Sequence, residues 1–145
     1  MKRFSIIILF AASVLFVSCG SAVNLADTTT ASISGAQCAM ALSNLSCVYK
    51  NTGKLDLTNL TNLSNAAVVV QAASNLKQHK SYKAYQTCFV TGMLTGSNGN
   101  LTQAVANAMM TTLLNSANLT QERLNNASTK AQIAEAIINL LTQMN

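Results

Sequence analysis

The side chains that could serve as catalytic acids, bases or nucleophiles are few in this 145-residue chain. Its single histidine, His79, lies in the stretch KQHKSYK, where lysines surround it and no carboxylate is close in sequence. A Ser-His-Asp arrangement needs a base that an acid orients. A Cys-His pair is not favoured either, because Cys88 would lie on the opposite face from His79 on a continuous helix. The acids are scattered along the chain, at Asp27, Asp56, Glu122 and Glu135. This pattern offers no carboxylate pair for glycoside chemistry, and we expect the protein not to be an enzyme.

Metal and cofactor motifs are missing from the sequence as well. Neither C-x2-C nor H-E-x-x-H occurs, although such spacings are what bring ligands around one metal ion. Only 9% of the residues are charged and the net charge is +5, so no extended basic face for a nucleic acid is expected. The sequence therefore predicts no metal, no cofactor and no nucleic-acid partner.

Three lysines, Lys77, Lys80 and Lys83, form the one concentration of charge, with Tyr82 and Tyr85 among them. One interpretation is a contact for anionic groups, such as lipid headgroups or an acidic partner. The other is a solvated junction between two helices, since lysines are favourable near the end of a helix. The tyrosines have helical spacing and are expected in the core.

The cysteines beyond residue 19 are Cys38, Cys47 and Cys88. On one helix, Cys38 and Cys47 would be separated by a rise of about 13.5 Å, which is too far for a disulfide. An oxidising compartment would favour pairing, so Cys88 is expected to bond to one of them, with a slight preference for Cys38. The alternative is that all three are small buried hydrophobic side chains in reduced form.

The N-terminus has the order of a secretory signal peptide. Lys2 and Arg3 precede an apolar run from Ile6 to Val17, and Ser18 and Cys19 follow it. The run is shorter than the roughly 20 residues that a spanning helix needs. A cleaved signal is therefore favoured over a retained membrane anchor.

The stretch LFVSCGS resembles the lipobox of bacterial lipoproteins, although Phe16 stands where leucine is commonest. The resemblance implies that residues 1–18 are a lipoprotein signal peptide and that Cys19 becomes an acylated N-terminus, with palmitate among its acyl chains. The lack of an acidic residue at Gly20 and Ser21 implies the outer membrane of the cell envelope. An ordinary signal peptide cut nearby, which leaves Cys19 as a plain thiol, is the alternative.

The residues after Cys19 are small and polar. Such a composition buries little apolar area, so residues 19–34 are expected to form a flexible tether. Residues 35–145 would then be one domain.

Helical periodicity recurs through that domain. The clearest case is KAQIAEAIINLLTQM, in which apolar residues from Ile133 to Met144 share one face. Four similar segments begin near Gly35, Ser64, Ser81 and Leu101. The stretch LDLTNLTNLSN is predicted to be a loop or short turn, with Asn62 or Ser64 as the N-cap of the next helix. The sequence thus predicts an all-α fold, a small bundle of four or five amphipathic helices.

Two functions from different classes remain open. One is a structural or interaction domain, held at a membrane by lipid, that docks an envelope protein or another copy of itself. The other is a binding module that holds a small apolar molecule in a Met- and Ala-rich interior. Its lining would include Met40, Met93, Met109, Met110 and Met144. An exposed apolar stripe would favour the first, and an enclosed cavity the second.

Overall fold

The computed structural model describes residues 25–144, and all regular elements among them are α-helices. In chain order they are α1 (Leu25–Thr52), α2 (Leu60–Gln78), α3 (Lys83–Gly96), α4 (Gln103–Asn115), α5 (Gln121–Asn125) and α6 (Lys130–Gln143). The predicted all-α class is confirmed. The described residues contain six helices where four or five were predicted, because the short α5 buries only Leu124 and so has no periodic pattern. None of these helices is long and apolar enough to cross a membrane.

Helix α1 begins before the predicted domain boundary at residue 35. Residues 25–34 form its first turns, and Thr28, Ala31, Ser32 and Ser34 are buried there. The prediction of a flexible tether over 19–34 is therefore wrong for 25–34. Residues 19–24 and the predicted signal peptide 1–18 lie outside the described residues.

The small residues of α1 pack against α3, and this is the most extensive contact between two helices. A Cβ atom on Gly92 would overlap the carbonyl oxygen of Ser32, and one on Gly96 would overlap that of Ala36. Glycine is needed where two backbones approach this closely. Both contacts advance by four residues in the same direction, so α1 and α3 are parallel. The small side chains of residues 25–34, which favoured a flexible tether in the sequence, leave room for this contact.

Helix α2 runs in the opposite direction to α1. The Asn44 side chain donates to Asn65 at 3.5 Å, and Asn75 donates to the Ser34 hydroxyl at 3.3 Å. Residues later in α1 thus contact residues earlier in α2. The start of α1, the end of α2 and the start of α3 consequently lie at the same end of the fold.

Helices α4 to α6 complete the core. Helix α4 packs on α2 and α3, and α6 packs on α4, α5 and α1. The end of α4 lies beside the end of α2, because the Lys77 ammonium donates to the Ser116 carbonyl. The end of α6 lies near the other end of α1, where Met144 and Cys47 line one depression.

We name the two ends of the fold after exposed lysines. The Lys80 end contains the start of α1, the loop 79–82 and the end of α4, and also helix α5, whose Gln121 lines a depression with Thr30 and Asn75. The Lys54 end contains the loops 53–59 and 97–102 and the last turn of α6.

The stretch LDLTNLTNLSN contains the start of α2, which begins at Leu60 and not after Asn62 or Ser64. Its N-cap is Asn59, whose side chain accepts from the Asn62 amide nitrogen at 3.1 Å. The Asn62 side chain instead donates to the Asp56 carbonyl at 3.0 Å. The predicted N-cap is therefore wrong, because the neighbouring Asn59 holds the first turn and leaves Asn62 to close the loop before it.

The periodicity of the last helix is confirmed. Ile133, Ile137, Leu140 and Leu141 of α6 are buried, and they join the core that α1 to α5 build. The largest side chains in that core, all less than 2% exposed, include Leu42, Leu45, Leu76, Tyr85, Phe89, Met93, Met109 and Leu113. Burial of each such side chain contributes about 1.5–3 kcal/mol.

Candidate functional site

The lysine cluster lies at the junction of α2 and α3, and its three members differ. Lys80 and Lys83 are exposed beside an open depression of about 710 Å³ that residues 77–84 line. Lys77 is half-buried, its ammonium donates to the Ser116 carbonyl, and desolvation lowers its pKa. Lys77 therefore connects α2 to the loop after α4, whereas Lys80 and Lys83 are accessible to a ligand.

His79 holds this loop in place. Its ring stacks on Tyr85 with centroids 4.0 Å apart and planes inclined by 2°, and Tyr82 lies at 6.4 Å. Its Nδ1 atom is 2.8 Å from the Asn75 carbonyl oxygen. These contacts give the only histidine a structural part at the end of α2.

Tyr85 connects the loop to the first turn of α1. The side chain is fully buried, and its hydroxyl has no well-formed hydrogen bond within residues 25–144. Burial raises the pKa of the Tyr85 phenol, the carboxylate of Asp27 raises it further, and the nearby Ser34 hydroxyl lowers it by a smaller amount. Asp27 and Tyr85 are therefore neighbours, which again puts the start of α1 at the Lys80 end.

The predicted bond between Cys38 and Cys88 is not formed. Cys38 is a buried free thiol and Cys47 an exposed free thiol. Burial raises the pKa of Cys38 to about 12. Since Gly92 packs on Ser32, Cys88 is level with Thr28, and Cys38 lies about 15 Å further along α1. The parallel direction of α1 and α3 thus separates the two sulfur atoms, which sequence spacing could not show.

Cys88 is disulfide-bonded, and neither Cys38 nor Cys47 is its partner. The fourth cysteine of the chain is Cys19, which lies outside the described residues.

The four acidic side chains lie on four different elements, three helices and the loop 53–59. Asp27 lies in the first turn of α1, and the hydrogen bonds that Asp56 accepts from Thr58 lower its pKa. Glu122 and Glu135 are exposed on α5 and α6. Within residues 25–144, no group of three or more His, Cys, Asp or Glu side chains could hold a metal ion.

The methionines do not line a common space. Met93 and Met109 are fully buried in the core, whereas Met40 is 56% exposed. Met110 and Met144 pack at the edge of the core. The depressions described above are open to solvent, and no specific observation favours the module that would bind an apolar molecule.

One surface feature was missed at the level of sequence. Ile33 and Met40, 52% and 56% exposed, lie seven residues apart on α1, and Cys47 follows seven residues later. Between them lie Gln37 and Asn44, so this exposed face of α1 has no charge. These side chains recur every three or four residues in the sequence. The exposed face could not be recognised from that spacing, because the buried and exposed faces of α1 carry similar residues.

No model of a known protein family, no curated protein and no solved structure matches this chain.

Proposed function

We propose that this protein is a bacterial envelope lipoprotein, anchored through lipid on Cys19, and that its helical domain is a small bundle with a structural or docking function and no catalysis. The stretch FVSCGS after a short apolar run carries the anchor. Each acyl CH2 group buried in a bilayer contributes about 0.8 kcal/mol, so several chains hold the domain at the membrane. The residues after Cys19 favour the outer membrane.

The docking function is supported by the exposed face of α1, which runs from Ile33 through Met40 to Cys47. Its two large apolar side chains lie on an uncharged surface. Such a surface favours a protein partner over a polyanion. The partner is an envelope protein or another copy of this chain.

Membrane attachment is tested by Cys19→Ala, with Cys47→Ala as the matched control at an exposed free thiol. Cys19→Ala is expected to abolish incorporation of labelled fatty acid and to release the protein from membranes. Cys47→Ala should keep both properties. Labelling that persists in Cys19→Ala would disprove the proposed anchor.

The docking face is tested by Ile33→Ser with Met40→Ser in one chain. Leu60→Ser is the matched control, because Leu60 is 78% exposed and lies at the other end of the fold. Chemical cross-linking in intact membranes should yield an adduct that the double variant loses and the control keeps. The mass of the adduct separates a second copy from another protein, and equal adducts in all three chains would rule out this face.

The state of Cys88 bears on this proposal, because a Cys19 sulfur that carries lipid cannot also form a disulfide. The disulfide at Cys88 favours the ordinary-signal alternative, which leaves the Cys19 sulfur available for that bond. Lipid on Cys19 and a bond between Cys19 and Cys88 are therefore mutually exclusive outcomes that one experiment can separate.

A further inference from the structure

We propose that the Lys80 end of the domain faces the membrane that anchors it, and that Lys80 and Lys83 contact anionic phospholipid headgroups there. This inference rests on the proposed lipid on Cys19. It adds an orientation for the domain and a lipid-binding surface.

The direction of α1 is the first argument. The chain enters the domain at Leu25, and the first turn of α1 lies beside Tyr85 and the loop 79–82. From Cys19 to Leu25 the chain can reach at most about 20 Å. Helix α1 has 28 residues and is therefore about 42 Å long. An anchor at Cys19 thus holds the Lys80 end close to the bilayer and places Lys54 near the far end of α1.

The chemistry of the loop is the second argument. Lys80 and Lys83 are exposed and residues 77–84 contain no acid. The stacked ring of His79 fixes the loop between them. The acids nearest this end are Asp27, which is half-buried next to Tyr85, Glu122 on α5, and Glu135, which lines a depression together with Ser116. The attraction between a lysine and an anionic bilayer acts within about 8 Å at physiological salt, a distance that the short connection to Cys19 permits.

The two ends also provide an internal comparison. Lys50 and Lys54 are exposed like Lys80 and Lys83, but they lie at the Lys54 end. A general affinity of lysines for lipid would bring all four side chains into contact with headgroups. The proposed orientation brings only Lys80 and Lys83 into contact with them.

The test uses full-length protein extracted from membranes and reconstituted into two kinds of vesicle. One is pure phosphatidylcholine, and the other is a three-to-one mixture of phosphatidylcholine and phosphatidylglycerol. Vesicles are floated on a density gradient, exposed lysines are acylated with an amine-reactive ester, and the rate at each lysine is read by mass spectrometry.

On the anionic vesicles, acylation of Lys80 and Lys83 should slow by roughly five-fold relative to pure phosphatidylcholine, while Lys50 and Lys54 do not change. High salt should reverse the protection, because it shortens the screening length to about 3 Å. Equal rates at both ends, or protection that is the same without phosphatidylglycerol, would overturn the headgroup contact. The same acylation is carried out on intact cell membranes, and protection there but on neither vesicle would also overturn the headgroup contact and indicate an acidic protein.

The flotation step separates this inference from the proposed function. Protein that does not float with either vesicle lacks its lipid, which would overturn the anchor and the orientation together. Protein that floats but shows no difference between Lys80 and Lys54 keeps its anchor and overturns the orientation alone.

Discussion

The contact between α1 and α3 and the buried face of α6 stabilise the same core in opposite ways. In the first, Gly92 and Gly96 bring the backbone of α3 against Ser32 and Ala36, and little side-chain volume separates the helices. In the second, large aliphatic side chains such as Ile137 fill the space between helices. Added volume should therefore destabilise the first region, and lost volume should destabilise the second.

The largest effect is expected for Gly92→Leu. Even a Cβ atom at this position would overlap the Ser32 carbonyl oxygen, so α1 and α3 must separate and open the core beside Phe89. We expect the free energy of unfolding to fall by more than about 4 kcal/mol, measured by denaturant titration with circular dichroism. Thr95→Leu introduces the same side chain at an exposed position of α3. It should change the free energy of unfolding by less than about 0.5 kcal/mol. Similar values for the two variants would contradict the close contact.

Removal of volume from α6 should have the next largest effect. Ile137 is fully buried, and Ile137→Ala should cost about 2–5 kcal/mol through lost burial and the cavity left behind. Ile138 is only partly buried, so Ile138→Ala should cost less than half as much in the same thermal or denaturant unfolding experiment. A smaller loss at Ile137 than at Ile138 would mean that α6 presents a different face to the core.

The smallest effect is expected at the N-cap of α2, where the substitution removes a hydrogen bond and no buried volume. Asn59→Ala removes the side chain that accepts from the Asn62 amide and should cost about 1 kcal/mol. Asn107→Ala makes the same exchange at an exposed position within α4, where alanine is the better helix former. Unfolding should show a loss for the first variant and a slight gain for the second. A gain at Asn59 would place the start of α2 elsewhere.

The difference between the two regions explains which parts of the fold were predictable. Helix α6 carries large apolar residues at helical spacing, separated by polar ones, so its buried face could be identified from Ile133 to Leu141. The first turns of α1 could not be recognised, because the buried residues there include the polar Thr28, Ser32 and Ser34, and Ser32 is buried by the close approach of Gly92. Their composition is equally typical of a tether, and only the position of Gly92 opposite Ser32 distinguishes the two.

The candidate surface was predicted only in part. The spacing of Lys77, Lys80 and Lys83 showed a cluster of charge, but it could not show that Lys77 donates to Ser116, because that contact joins distant parts of the chain. Likewise, the direction of α3 relative to α1 decides that Cys38 and Cys88 are apart. The relative direction of two packed helices depends on several loops together, and no local sequence pattern indicates it.

The measurement that tests the central claim most directly is mass spectrometry of the N-terminal peptide from protein extracted from membranes without reducing agent. The proposed lipoprotein predicts a chain that starts at Cys19, with lipid attached there and residues 1–18 removed. An N-terminal peptide without lipid, joined through Cys19 to the peptide that contains Cys88, would contradict the lipid anchor and identify an ordinary secreted protein.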